Sequence, residues 1–230
     1  CWLPCYRVDT LCARCYNAAA MISVELKDLG KAFNQRPIFD GVHAVVENGH
    51  ALVIAGANGA GKSTLLRLIC GLLRPSAGEV IVTADGRATP PAAARNLFGL
   101  VAPDVSLYGE LTALENMAFF AHVRGLPVQP DHFGRLLSRL GLAGRGDDVV
   151  RAYSSGMRHR LKYACALLHQ PAVLLLDEPT TNLDEDGVAI VRELMAEQKQ
   201  RGVLIFATND PREAAWADAT VHLGRQAGQP

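Results

Sequence analysis

The chain has 230 residues, 49% of them hydrophobic, enough for one domain with a sizeable core or for that domain with a small inserted lobe. Lys plus Arg and Asp plus Glu number 23 each, so the formal charge is zero, and no long basic run occurs. This argues against a nucleic-acid partner held through its phosphates, and the longest apolar runs, such as Ala172–Leu176, are too short to span a bilayer.

Residues 1–20 stand apart from the rest of the chain. They hold Cys1, Cys5, Cys12 and Cys15 with Trp2 and Tyr6, in no helical or strand period. Cys12 and Cys15 have a zinc-like inner spacing, but no His lies nearby, and the apolar core of a signal peptide is missing. The expectation is an upstream or disordered extension, with the domain opening at Met21. Ile22–Lys27 reads as a strand, and strand-like sequence continues to about residue 55. Cys70 and Cys165, in apolar helical stretches, read as small core residues of a reduced protein.

The apolar run Ala51–Ala55 leads into Gly56-Ala57-Asn58-Gly59-Ala60-Gly61-Lys62-Ser63-Thr64, and a helical pattern continues to about residue 73. Every fixed position of G-x-x-x-x-G-K-[ST] is filled, in the strand–turn–helix context that the motif requires. The glycines let successive N–H groups line a concave anion site, and the helix adds its positive end. Lys62 can reach outer phosphates, and Ser63 can place a hydroxyl on Mg²⁺. This segment predicts binding of a nucleoside triphosphate.

Farther on, Gly78–Thr83 reads as a strand closed by the turn Asp85-Gly86, and a Pro- and Ala-rich stretch leads to Phe98–Val101. From about 110 to 168 the pattern is helical, broken at Leu126-Pro127 and at Gly144-Arg145-Gly146. A buried-looking strand at 172–176 ends in Asp177-Glu178-Pro179. The first carboxylate stands where a Mg²⁺ ligand is needed, and the second can orient or deprotonate an attacking water. Asp-Glu-Pro is also an ordinary turn at a strand end; the phosphate loop upstream favours the functional reading. Glu185–Gln200 comes next as a long helix, then the strand Val203–Ala207, a short helix at Pro211–Ala217 and a last strand at Thr220–Leu223. Strands alternating with helices at both ends predict a mostly parallel sheet carrying an inserted helical lobe.

Tyr153-Ser154-Ser155-Gly156-Met157 precedes the helical run to Leu168, and Thr181-Asn182-Leu183-Asp184 comes after the two acids. With these segments the chain resembles an ATP-binding cassette (ABC) subunit over about residues 22–223. The resemblance implies an α/β P-loop NTPase fold: an ABC nucleotide-binding domain over 21–224, with a mostly parallel core, an antiparallel β edge, a helical subdomain at about 104–168 and a tail at 225–230. It implies that Ser154, Ser155, Gly156 and Met157 cap ATP bound by another subunit, although Ser154 or Ser155 also suits a helix cap. Asp184 then lies in a loop linking two sites across a dimer, and Phe33 lies where an aromatic ring meets adenine, though it also suits core packing.

Three positions depart from the family pattern. Pro103 stands where a loop glutamine is usual, Asn209 where a histidine is usual, and Met157 where the signature has glutamine. Proline offers no side-chain donor, and an amide can donate to a phosphate but cannot carry a proton. Lys62, Ser63, Asp177 and Glu178 are all kept, which favours a slow but working ATPase over a site that only binds. Tyr153–Met157 and Leu107–Asn116 look like single-domain exporter subunits, which include the heme-exporter type of cytochrome c maturation and drug or polysaccharide exporters. The expected function is the ATP-hydrolysing subunit of a membrane exporter, using ATP and Mg²⁺ and peripheral on the cytoplasmic face of the membrane. Its partners would be a second such subunit, commonly a second copy, and a separate transmembrane permease. A non-transport ATP-binding switch or scaffold is the alternative.

Overall fold

Successive side chains of continuous apolar strands point to opposite faces and so enter two different cores. In the computed structural model, which describes residues 21–224, Leu52, Ile54, Val173, Leu175, Val203 and Ile205 face one hydrophobic cluster. Their neighbours Val53, Leu174, Leu176, Leu204 and Phe206 face the other. Strands buried on both faces belong to a parallel sheet covered on both sides. The sheet comprises β3 (Ala51–Ala55), β6 (Phe98–Val101), β7 (Val173–Asp177), β8 (Val203–Thr208) and β9 (Ala219–His222), in the order β6-β7-β8-β3-β9, with every pairing parallel.

A second sheet is antiparallel, in the order β2-β1-β4-β5, built from β1 (Ile22–Phe33), β2 (Arg36–Glu47), β4 (Ala77–Ala84) and β5 (Arg87–Thr89). The antiparallel β portion expected from the resemblance is this second sheet. Helix α1 (Lys62–Ile69) buries Leu65, Leu66, Leu68 and Ile69 in the same cluster as the inner residues of both sheets. It is shorter than the apolar pattern to residue 73 implies, because a left-handed turn at Gly71 ends it.

The helical lobe holds α2 (Ala113–Val123) and α3 (Pro130–Arg139), and α4 (Ser155–Leu167) packs it against the parallel sheet. Thr112 and Glu115 close α2 with a reciprocal capping box. The stretch between α3 and α4 is not α-helical; it forms turns, a short 3-10 helix at Val150–Ala152 and a bridge between Val149 and Thr112. Helix α5 (Glu185–Arg201) covers the same face through Val191, Leu194 and Met195, and α6 (Pro211–Ala214) is a single turn. The α/β class, the mostly parallel core and the inserted helices agree with expectation. Residues 1–20 and the tail at 225–230 lie outside the described residues. Cys70 and Cys165 are buried free thiols, and burial pushes Cys165 up to about 12. Among the described residues no helix is long and apolar enough to cross a membrane.

Candidate functional site

Three neighbouring strands deliver the site at their C-terminal ends, the edge where open α/β sheets bind ligands. Ala55 of β3 pairs with Thr208 of β8, and Ala207 of β8 pairs with Asp177 of β7. Gly56, Asn209 and Glu178 therefore leave the sheet side by side. The Glu178 N–H donates to the Ala207 carbonyl at 2.9 Å, and its backbone is left-handed, with φ 54°.

The loop after β3 owes its shape to glycine. Gly61 has φ 98°, and a β-carbon there would lie 2.5 Å from Ile38 Cγ2 and 2.9 Å from Phe39 Cδ1. Neither the backbone nor the space admits a side chain. Gly61 also caps α1 without any side-chain hydrogen bond, whereas α2, α4 and α5 are capped by Thr112, Ser154 and Asp184. The first amides of α1 are thereby left to an outside acceptor, and an anion is the acceptor that the helix dipole favours.

A cavity of about 350 Å³ opens over this loop. Asn58, Gly59, Gly61, Lys62, Ser63 and Thr64 line it from the loop and α1, joined by Glu178 and by Ile38 of β2. Lys62 is only 6% exposed; its ammonium donates to the carbonyls of Gly56 at 2.9 Å and Ala57 at 3.3 Å, and it lies 3.7 Å from Glu178 Oε1. Burial raises the Glu178 pKa. The Lys62 ammonium pulls it down, and the carboxylates of Asp177 and Glu213 push it up, leaving it above the ordinary glutamate value. Asp177, 3% exposed, ends β7. Its carboxylate and the Ser63 hydroxyl are hard oxygen donors of the kind Mg²⁺ takes, so these two residues fit that ion.

Asn209 donates from Nδ2 to Asn58 Oδ1 at 2.9 Å, linking the end of β8 to the phosphate loop. The remaining sequence-derived residues do not line the cavity. Phe33, 44% exposed, ends β1 with Lys31 Nζ 4.8 Å from its ring centre. Ser154 accepts the Met157 N–H at 3.2 Å as the cap of α4, Ser155 opens that helix, and Gly156 faces the Asn182 carbonyl. Asp184 caps α5 by accepting from the Gly187 N–H at 2.9 Å. Pro103 is exposed, and its carbonyl accepts from Lys162 Nζ at 2.8 Å.

Sequence reasoning missed Ile38, whose only signal is its place on a strand that folds over the loop. It also missed Lys162 and the Arg67–Asp104 pair, 2.8 Å apart, which belong to no motif.

The family model described as ABC transporter matches residues 39–181. The chain is 36% identical over 163 residues to the probable multidrug ABC transporter ATP-binding protein YbhF of Escherichia coli (strain K12), covering 70% of this chain and 28% of that protein. It is 34% identical over 188 residues to the uncharacterized ABC transporter ATP-binding protein YhcH of Bacillus subtilis (strain 168), covering 81% and 61%. The chain therefore spans less than two thirds of either relative. A solved structure of an ATP binding subunit of an ABC transporter superposes with a TM-score of 0.75 at 30% identity, over 87% of this chain and 85% of that one. The P-loop NTPase architecture of ABC ATP-binding domains is thus shared.

Proposed function

The chain belongs to the ABC transporter family, and from that premise we propose that it is the ATP-binding and ATP-hydrolysing subunit of a membrane exporter. The observation that carries the proposal is the uncapped start of α1 facing a cavity lined by both Lys62 and Glu178. Amides of 56–64 hold the phosphates of ATP, and Lys62 leaves the Gly56 and Ala57 carbonyls for the outer phosphate oxygens. Ser63 and Asp177 hold Mg²⁺, which neutralises charge on the phosphates. Glu178 accepts a proton from the water whose oxygen bonds to the γ-phosphorus, as the bond to the ADP oxygen breaks. Asn209, tied to Asn58, donates to a γ-phosphate oxygen, a contact that does not titrate.

Residues 154–157 do not line the cavity of their own chain, which leaves that clamp to a second ATP-binding subunit, a copy of this chain or a paralogue. In the same reading Phe33 stacks on adenine, Asp184 lies in the loop between the two sites, and a transmembrane permease supplies the path across the membrane. Transport in the relatives' names favours this over a non-transport switch. Of the exporter kinds resembled by the sequence, the multidrug relative supports small-molecule efflux, and neither relative supports the heme-exporter type.

Phosphate release from purified protein with Mg-ATP tests the proposal. Glu178→Gln should lower turnover about 10²–10⁴-fold, the range for a positioned base, and Lys62→Ala should abolish nucleotide binding. A wild-type rate equal to that of both variants would remove hydrolysis from the proposal.

A further inference from the structure

Pro103 lies in the loop that leaves β6 for the helical lobe, and its ring offers no polar atom. That loop is nevertheless gripped from two sides. Arg67 of α1, the helix that carries the phosphate loop at its start, pairs through Nη2 with Asp104 Oδ2 at 2.8 Å. Lys162 of α4 donates from Nζ to the carbonyl of Ala102 at 3.0 Å and to that of Pro103 at 2.8 Å. Three successive residues therefore bond to one cation from the core and one from the helix that begins at Ser154–Met157.

Lys162 lies eight residues after Ser154, about 12 Å along the helix axis. The next residue, Tyr163, is fully buried and donates its hydroxyl to the Pro179 carbonyl at 2.8 Å, directly after Glu178. Two adjacent side chains thus register α4 against the ends of β6 and β7. They differ in kind: the Tyr163 tie is locked in the core, whereas Lys162 is half-buried on a flexible stem and can follow the loop. Burial lowers the Lys162 pKa and Asp104 draws it back up.

We infer that Lys162 is a positioning residue that sets the helical lobe against the nucleotide site, its ammonium on the two loop carbonyls fixing where Ser154–Met157 stand relative to the phosphate loop. The inference rests on the ATPase reading for its effect on turnover, but not for its effect on the loop. Proline stiffens the linkage, so displacement of the Arg67 end of α1 is passed through residues 102–104 to α4.

The test uses the full chain with Lys162→Met, which keeps the apolar stem, Lys162→Arg, which keeps a charged donor, and Asp104→Asn. Lys162→Met should lower kcat about two- to thirtyfold, the range for residues that couple two sites. ATP affinity, read by displacement of a fluorescent nucleotide, should stay within about twofold, and so should the midpoint of thermal unfolding within a few degrees. Lys162→Arg should regain most of the rate, and Asp104→Asn should add little to Lys162→Met, because both act through one loop. Amide exchange of residues 101–107 should quicken in Lys162→Met. Unchanged exchange would overturn the inference, and so would a parallel loss of affinity and stability that Lys162→Arg does not rescue. Wild-type turnover no higher than that of Glu178→Gln would sink the ATPase reading alone, leaving the exchange arm to decide on Lys162.

Discussion

His159 and His169 are half-buried, and the fold holds both imidazoles below their ordinary titration range. Burial, helped by the nearby Lys162 cation, lowers His159 to about 4. Burial, then Arg124, lowers His169 to about 3 against the pull of the Phe98 carbonyl. Both titrate near 6.5 when unfolded, so the unfolded chain binds more protons below that pH. The stability they contribute is whole above pH 6.5 and is lost as pH falls toward about 4 and about 3. Urea unfolding between pH 7 and pH 4 should show this loss, and the double variant His159→Gln, His169→Gln should flatten it. An unchanged slope would show that folding does not lower the pKa of either group. At this scale the phosphate-loop residues are legible in sequence because backbone geometry and phosphate charge dictate residue types at fixed spacing. The Asn209–Asn58 bond is not, since it joins side chains 151 positions apart with no local signature. Nor is the Arg67–Asp104–Lys162 cluster, whose members look like solvated charges until the fold assembles them.

Helix α4 shows how one element serves two purposes. Its N-terminal cap, Ser154, satisfies an orphan amide, and the same turn presents the residues assigned to phosphate. Its middle is fixed to β7 by the buried Tyr163 hydroxyl on the Pro179 carbonyl. Tyr163→Phe should cost about 1–3 kcal/mol, because a buried carbonyl is left without its donor. Chemical unfolding measures it, and a cost near zero would mean that water replaces the hydroxyl. This lesion should lower the unfolding midpoint, in contrast to Lys162→Met. Most elements are legible from continuous apolar runs and helical period: the runs of β3, β7 and β8, the helical pattern of α2, the long helix α5. The long strands β1 and β2 are less so. Few residues of β2 are buried and the pairing of β1 with β2 shifts register past Leu26, so no clean alternation runs their length.

Across the whole molecule, the split into two hydrophobic clusters arises from strands whose successive side chains enter different cores. Patterning announced the parallel sheet and the inserted helices. It did not announce that the antiparallel strands close on themselves as a separate sheet, because local sequence does not record which edges meet. The strand order carries a consequence for how the protein is made. β8 separates β3 from β7, so Gly56–Thr64 and Asp177-Glu178 have no common frame until residues 203–208 are in place. During synthesis the phosphate loop leaves the ribosome well before Val203–Thr208, so it must wait for that strand before its partner carboxylates stand beside it. A nascent chain stopped at residue 202 should fail to bind ATP and should unfold without a cooperative transition, whereas one carried through residue 224 should bind ATP and unfold cooperatively. Binding by the shorter chain would show that the loop forms its site without the central strand. Nucleotide affinity is thus acquired only once β8 has been made, and ATP in the cell becomes a ligand that seals a formed sheet rather than a template that nucleates it.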